Sequence, residues 1–129
     1  MKYLLDTVVF LYFLKGTPEC FSEAAKRVLS NPDHCYLVSV VSLWEIAIKY
    51  SLGKLALEKK PGAWMTDIVA EMGWELLPLL AEHTFRVADL PYHHRDPFDR
   101  LLVVQAQTEK IPLITPDDKI RKYDVKYVW

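Results

Sequence analysis

Tyr3-Leu4-Leu5-Asp6-Thr7, followed at once by the apolar run Val8 to Leu14, decides how the rest of the chain is read. Three apolar residues without polar alternation fit a strand buried on both faces, and Asp6 ends that strand. The run that follows has the length of a short helix and stops at Gly16 and Pro18. A strand covered on both faces belongs in a sheet with helices on either side, so the same alternation is expected further along.

It is there. Ala24, Ala25, Val28 and Leu29 give Ser22 to Ser30 a helical period, Asn31-Pro32-Asp33 turns the chain, and Cys35 to Val41 reads as a second buried strand. Ser42 is expected to open a helix that ends near Gly53, and Pro61 sits in the first turn of another, from Ala63 to Met72, closed by Gly73. Trp74 to Leu77 reads as a strand and Ala81 to Ala88 as a short helix. Asp96-Pro97 starts a helix running to about Lys110, and Ile111 to Thr115 is a further strand. Pro116 begins a last helical turn, and Val125 to Trp129 closes the sheet. The expectation is an α/β protein of three layers with a parallel sheet.

The 129 residues suit a single domain spanning 1–129, and 51% hydrophobic with 26% charged residues is a globular rather than a disordered balance. Cys20 and Cys35 have neither the spacing of a zinc site nor the number of a disulfide framework, so both are expected as buried thiols. The longest apolar candidate, Tyr3 to Leu14, falls short of the roughly 20 residues of a membrane span and contains Asp6. No signal peptide is read, and a soluble cytoplasmic protein is expected. The net charge of −1 excludes polybasic and strongly acidic tails.

Five carboxylates stand out by their settings: Asp6, Glu45, Asp96, Asp99 and Asp117. Parallel strands joined by right-handed crossovers all end at one edge of the sheet, where such folds place their ligands. Chain order alone sends Asp6, Glu45 and Asp117 to that edge; Asp96 and Asp99 begin a helix that precedes a strand and join them only if the fold brings them there. Each has a structural alternative. Ser42-Leu43-Trp44-Glu45 has the pattern of a capping box, Asp96 before Pro97 is a good N-cap with Asp99 as its partner, and Thr115-Pro116-Asp117-Asp118 reads as a capped helix start. Asp6 resists that explanation, because an isolated carboxylate between two apolar runs is costly without a partner or a metal. Clustered acids are the ligands that Mg²⁺ or Mn²⁺ prefer. His93 and His94 are adjacent and so do not share a helix face, no His-Glu-x-x-His pair exists, and of two readings of His94, a pocket residue or a surface-loop histidine, the second is preferred.

Leu4-Leu5-Asp6-Thr7, Ser42-Leu43-Trp44-Glu45-Ile46-Ala47-Ile48-Lys49, His93-His94-Arg95-Asp96-Pro97-Phe98-Asp99-Arg100-Leu101-Leu102 and Leu113-Ile114-Thr115-Pro116-Asp117 together resemble PIN-domain ribonucleases, closest to the VapC-type toxins of bacterial type II toxin–antitoxin pairs. The segment Asp96 to Arg100 is its most specific piece. The resemblance implies a three-layer α/β/α PIN-like fold with a parallel sheet of about five strands. It implies a metal-dependent endoribonuclease using Mg²⁺ (or Mn²⁺) held by Asp6, Glu45, Asp99 and Asp117, with Asp96 as an additional acid of the subgroup. Thr7 and Thr115 resemble the hydroxyl residues that hold the acids or a metal water, and Asp118 is expected to point away. Pro116 departs from the usual Thr-x-Asp pattern.

Such a site activates water for in-line attack on a phosphodiester, leaving a 5′-phosphate and a 3′-hydroxyl. The implied partners are RNA, a cognate antitoxin and a second copy of the chain. Removing five from the 17 acids leaves 12 against 16 basic residues, and Lys49, Lys54, Arg95, Arg100, Lys119, Arg121, Lys122 and Lys126 fall near the acids in sequence. Such residues suit phosphate contacts. A receiver domain would place adjacent acids after the first strand, and a haloacid-dehalogenase phosphatase would place a second acid where Val8 stands, so neither fits. A PIN-like interaction module without catalysis is the alternative.

Overall fold

A computed structural model describes residues 1–129. Five strands, β1 (Lys2–Leu5), β2 (Cys35–Ser39), β3 (Glu75–Leu77), β4 (Leu113–Ile114) and β5 (Tyr127–Val128), form one sheet in the order β3-β2-β1-β4-β5, with every pairing parallel. Six helices cover it: α1 (Thr7–Lys15), α2 (Glu23–Leu29), α3 (Val40–Ser51), α4 (Met65–Glu71), α5 (Ala81–Arg86) and α6 (Pro97–Glu109).

The central strand alternates between two cores. Tyr3 and Leu5 pack with Val9, Phe10, Val38, Ile46 and Val69 on one face. Leu4 packs on the other with Leu37, Leu102, Val103, Leu113 and Ile120. This is the expected three-layer arrangement, and it explains why β1 shows no polar alternation: both of its faces meet helices.

Several boundaries differ from the sequence reading, for identifiable reasons. The second strand ends at Ser39 rather than Val41, because the Ser39 side chain accepts the Val41 N–H and starts α3 three residues earlier than Ser42. Ser42 is therefore inside the helix and accepts a hydrogen bond from the Thr7 hydroxyl instead of capping anything. Asp117 does not start a helix; its carboxylate accepts the Lys119 N–H in a tight turn, and only a 3₁₀ turn at Ile120–Lys122 follows. Gly16, at φ 62°, closes α1 in the left-handed conformation with its N–H on the Phe13 carbonyl, as the glycine at that position predicts. Cys20 is exposed and Cys35 half-buried, so neither is the fully buried thiol expected.

The sequence of crossovers places the site. The chain moves from β1 outward to β2 and β3, then returns to the other flank of β1 for β4 and β5. The reversal lies beside β1, where such sheets open a crevice at their carboxyl ends. Leu5 is in register with both Val38 and Ile114, so Asp6, Ser39 and Thr115 end three adjacent strands in one row.

Candidate active site

At that row a cleft of about 380 Å³ is lined by Asp6, Glu45, Asp96, Asp99 and Asp117, together with Thr7 and Lys49. All five acids singled out in the sequence share it. Asp6 comes from the end of β1, Glu45 from the second turn of α3, Asp96 and Asp99 from the start of α6, and Asp117 from the turn after β4.

Each acid is held differently. The Thr115 hydroxyl donates to Asp6 Oδ2 at 2.7 Å and accepts the Asp117 N–H at 3.0 Å, so one side chain ties the first acid to the backbone of the last. Asp6 is 4% exposed. Burial pushes its carboxyl up to about 6 despite the Thr115 hydrogen bond, with the charges of Asp117 and Glu45 adding to the shift. Asp99 goes further, to about 8: burial is the largest cause, followed by the charges of Asp6, Asp96, Glu45 and Asp117. Two carboxyls that resist ionisation at one sheet edge mark a site short of positive charge.

Asp96 combines both readings made for it. Its Oδ1 accepts the N–H groups of Phe98 (2.8 Å) and Asp99 (3.3 Å), which makes it the N-cap of α6 while it also lines the cleft. Asp99 does not reciprocate as a capping partner; the Asp96 N–H goes to His94 Nδ1 at 3.1 Å. Glu45 likewise does not close a capping box. Its Oε2 pairs with Lys49 one turn along α3, and its Oε1 is buried without any hydrogen-bond partner. Asp118 points away, as expected, and pairs with Arg121 at 2.9 Å on the surface.

His94 corrects the sequence reading. It is not a surface histidine: its side chain is 12% exposed, and Nε2 lies 3.0 Å from Asp99 Oδ2 and 2.9 Å from Asp117 Oδ2. Because Nδ1 accepts the Asp96 N–H, the ring proton sits on Nε2 and points between the two carboxylates. That contact, with the Lys119 and Ile120 N–H groups, holds the Asp117 carboxyl below its ordinary value although burial alone would raise it. Arg100 is a second correction. Rather than facing phosphates, its guanidinium is buried and donates to the carbonyls of Pro91, Val87, Leu90 and His94 and to the Tyr123 hydroxyl, which pins the loop carrying His94. Neither aim was readable from neighbours in sequence, since Arg100 depends on Tyr123 and on loop carbonyls and His94 on the meeting of Asp99 with Asp117.

The donor set suits a hard divalent cation: carboxylate oxygens dominate, one of them (Glu45 Oε1) is buried and orphaned, and oxygens of Asp99 and Asp117 lie within 4.8 Å of each other. Glu45 keeps Oε1 without a partner, whereas Asp117 accepts the Lys119 N–H at Oδ1 and faces His94 with Oδ2. Asp96 has one oxygen committed to the helix backbone.

A parallel α/β sheet with a cleft of acids at its point of reversal defines the class, and sequence comparison defines the member. The chain belongs to the PIN domain family, whose model matches residues 3–126. No curated protein matches its sequence. Among solved structures it is similar to VapBC2 from Rickettsia felis bound to a DNA fragment from the promoter (TM-score 0.72, 17% identity, 98% of this chain and 97% of the other). It is also similar to DNA-bound VapBC from Salmonella typhimurium (0.67, 15%, 98% and 96%) and to VapBC-1 from nontypeable Haemophilus influenzae (0.66, 22%, 98% and 96%). No helix is long and apolar enough to cross a membrane.

Proposed function

We propose that the chain, as one PIN-like domain over residues 1–129, is a metal-dependent endoribonuclease and the toxin of a toxin–antitoxin pair. The observation that carries this is the convergence of Asp6, Glu45, Asp99 and Asp117, with Asp96 beside them, on one cleft in which a Glu45 oxygen lacks a partner. Mg²⁺ (or Mn²⁺) held by these acids supplies a nucleophilic water and offsets the charge of the attacked phosphate.

The protein's own residues do the rest. The Thr115 hydroxyl fixes Asp6, the Asp96 cap fixes the first turn of α6 and with it Asp99, and the His94 N–H holds Asp99 and Asp117 convergent. Such preorganisation spares the cleft from rearranging when the cation and substrate arrive. VapBC complexes of similar fold support an antitoxin as partner. The reading adds a second copy of the chain, an RNA substrate and a cytoplasmic setting.

The test incubates purified protein with structured RNAs, with and without Mg²⁺ or Mn²⁺, beside Asp6→Asn and Asp99→Asn variants. Metal-dependent cutting by the wild type, lost in both variants, is expected. A folded wild type that binds no metal and cuts nothing would establish the alternative, a PIN-like interaction module without catalysis.

A further inference from the structure

The nuclease reading accounts for the acids but leaves the one cation among them, Lys49, without a role. We propose that Lys49 is the residue that takes hold of the RNA phosphate at the cleft: its ammonium rests on Glu45 in the free protein and turns a free N–H toward a non-bridging phosphate oxygen when the substrate arrives. The proposal rests on the nuclease reading for the identity of the substrate.

Three observations carry it. Lys49 alone among the residues lining the cleft is basic, and the carboxylates of Glu45, Asp96 and Asp99 all act on its ammonium. Arg100, beside Asp99 in sequence, is spent on loop carbonyls, Arg121 is paired with Asp118, and Arg95, beside Asp96, is exposed but does not line the cleft. A phosphate entering a wall of carboxylates has no other side-chain cation of the cleft to meet.

The second observation is the asymmetry of the Glu45–Lys49 pair. Glu45 is 5% exposed and Lys49 42%, so the acid is fixed inside while the ammonium reaches the mouth. The ammonium has three donors, and Glu45 Oε2 is the single acceptor it meets, which leaves two N–H groups for a ligand.

Third, Glu45 divides its oxygens. Oε2 faces Lys49 and Oε1 is buried with no partner. The ion pair thus engages one oxygen of Glu45, leaves the other buried without a partner, and keeps the ammonium on the solvent side. A Glu–Lys pair one turn apart adds little to the stability of a helix by itself. Its value here lies in placement of charge rather than in holding α3 together.

The discriminating feature is sign. A residue that positions Glu45 for the metal weakens metal binding when removed, whereas a neighbouring cation strengthens it when removed. Wild type, Lys49→Ala, Lys49→Arg and Glu45→Gln are compared by calorimetric titration with Mn²⁺. Anisotropy of a fluorescein-labelled single-stranded RNA follows binding in Ca²⁺, and cleavage of the same RNA is measured in Mn²⁺.

Lys49→Ala is expected to bind Mn²⁺ as tightly as wild type or up to about fivefold more tightly. Its RNA affinity should fall about tenfold, with a salt dependence shallower by roughly one phosphate contact, and its kcat/KM at least as far. Lys49→Arg restores most of both, and Glu45→Gln weakens Mn²⁺ binding. Weaker Mn²⁺ binding by Lys49→Ala with RNA affinity intact overturns the proposal and makes Lys49 a positioning residue for Glu45. A wild type that binds RNA through Lys49 but cuts none overturns the nuclease reading and leaves this assignment standing. Equal RNA binding and cutting by wild type and Lys49→Ala do the reverse.

Discussion

Two histidines in this molecule have nearly the same local geometry and opposite surroundings. His83 and His94 each accept a backbone N–H at Nδ1, from Leu80 at 3.0 Å and from Asp96 at 3.1 Å, and each turns Nε2 toward carboxylate. His83, wholly buried, ends a closed chain of partners. Ser39 donates to Gln105 Oε1 at 2.5 Å, Gln105 donates to the Pro78 carbonyl at 3.1 Å, and His83 Nε2 meets a single acid, Glu109, at 3.3 Å. His94 meets two acids at once, Asp99 and Asp117, in a cleft where Asp99 and Asp6 are unwilling to ionise and a fourth acid, Glu45, leaves an oxygen unpaired. The satisfied network joins β2 to α5 and α6; the unsatisfied one awaits positive charge. A buried polar group stabilises a fold when its partners are complete, and incomplete pairing marks a place where something else must bind.

The largest effect that can break this comparison is on turnover. Asp99→Asn should lower metal-dependent RNA cleavage by at least about 10³-fold, as removal of a principal charge-stabilising group does. The same variant should melt at an equal or higher temperature than wild type without metal, because it relieves a carboxyl that burial and four neighbouring acids disfavour. Calorimetry showing a large loss of stability would place Asp99 with the structural residues instead.

Across the molecule the signs reverse. Gln105→Ala should cost about 2–4 kcal/mol in urea unfolding, since it opens a void and strands the Ser39 hydroxyl and the Pro78 carbonyl. Cleavage per folded molecule should change little.

The pH dependence of stability sharpens the contrast. Asp6 and Asp99 have folded-state values raised from 3.8 to about 6 and about 8, so the unfolded chain ionises them first. Their contribution to stability is complete below about pH 4 and is lost as pH rises through about 6 and then 8. Asp117, with its lowered value, has the opposite sign and loses its contribution only in acid. Metal-free melts should therefore weaken between pH 5 and 8 by about 1–3 kcal/mol, less so in Asp99→Asn, and added Mg²⁺ should remove the slope. A slope unchanged in Asp99→Asn would sink this account. The smallest effect belongs to a control far from both networks: Glu75→Gln, which breaks the exposed pair with Lys2, should change stability by less than about 0.5 kcal/mol.

Much of this was legible in the sequence because the strands are buried on both faces and the acids interrupt apolar runs. Asp6 is the clearest case: nothing local satisfies it, and its partner Thr115 lies 109 residues away. The start of α3 was misplaced because two serines, Ser39 and Ser42, both precede apolar helical residues, and only tertiary contact with Thr7 takes Ser42 out of competition. The inward turn of His94 and Arg100 was hidden for another reason. Arg100 answers to loop carbonyls and the Tyr123 hydroxyl, and the His94 ring to Asp99 and Asp117, which only the folded chain brings together. The Glu45–Lys49 spacing was present as an i, i+4 pair, but spacing alone does not tell a surface staple from a cation in a cleft.

The link from Thr115 to Asp6 also bears on how the protein is made. A polypeptide leaving the ribosome has β1, α1, β2 and α3 in hand long before β4, and without β4 the first acid has no hydroxyl to hold it and the last acid does not yet exist. The acidic cleft is consequently incomplete on a partly made chain and closes only when nearly the whole polymer has been threaded into place.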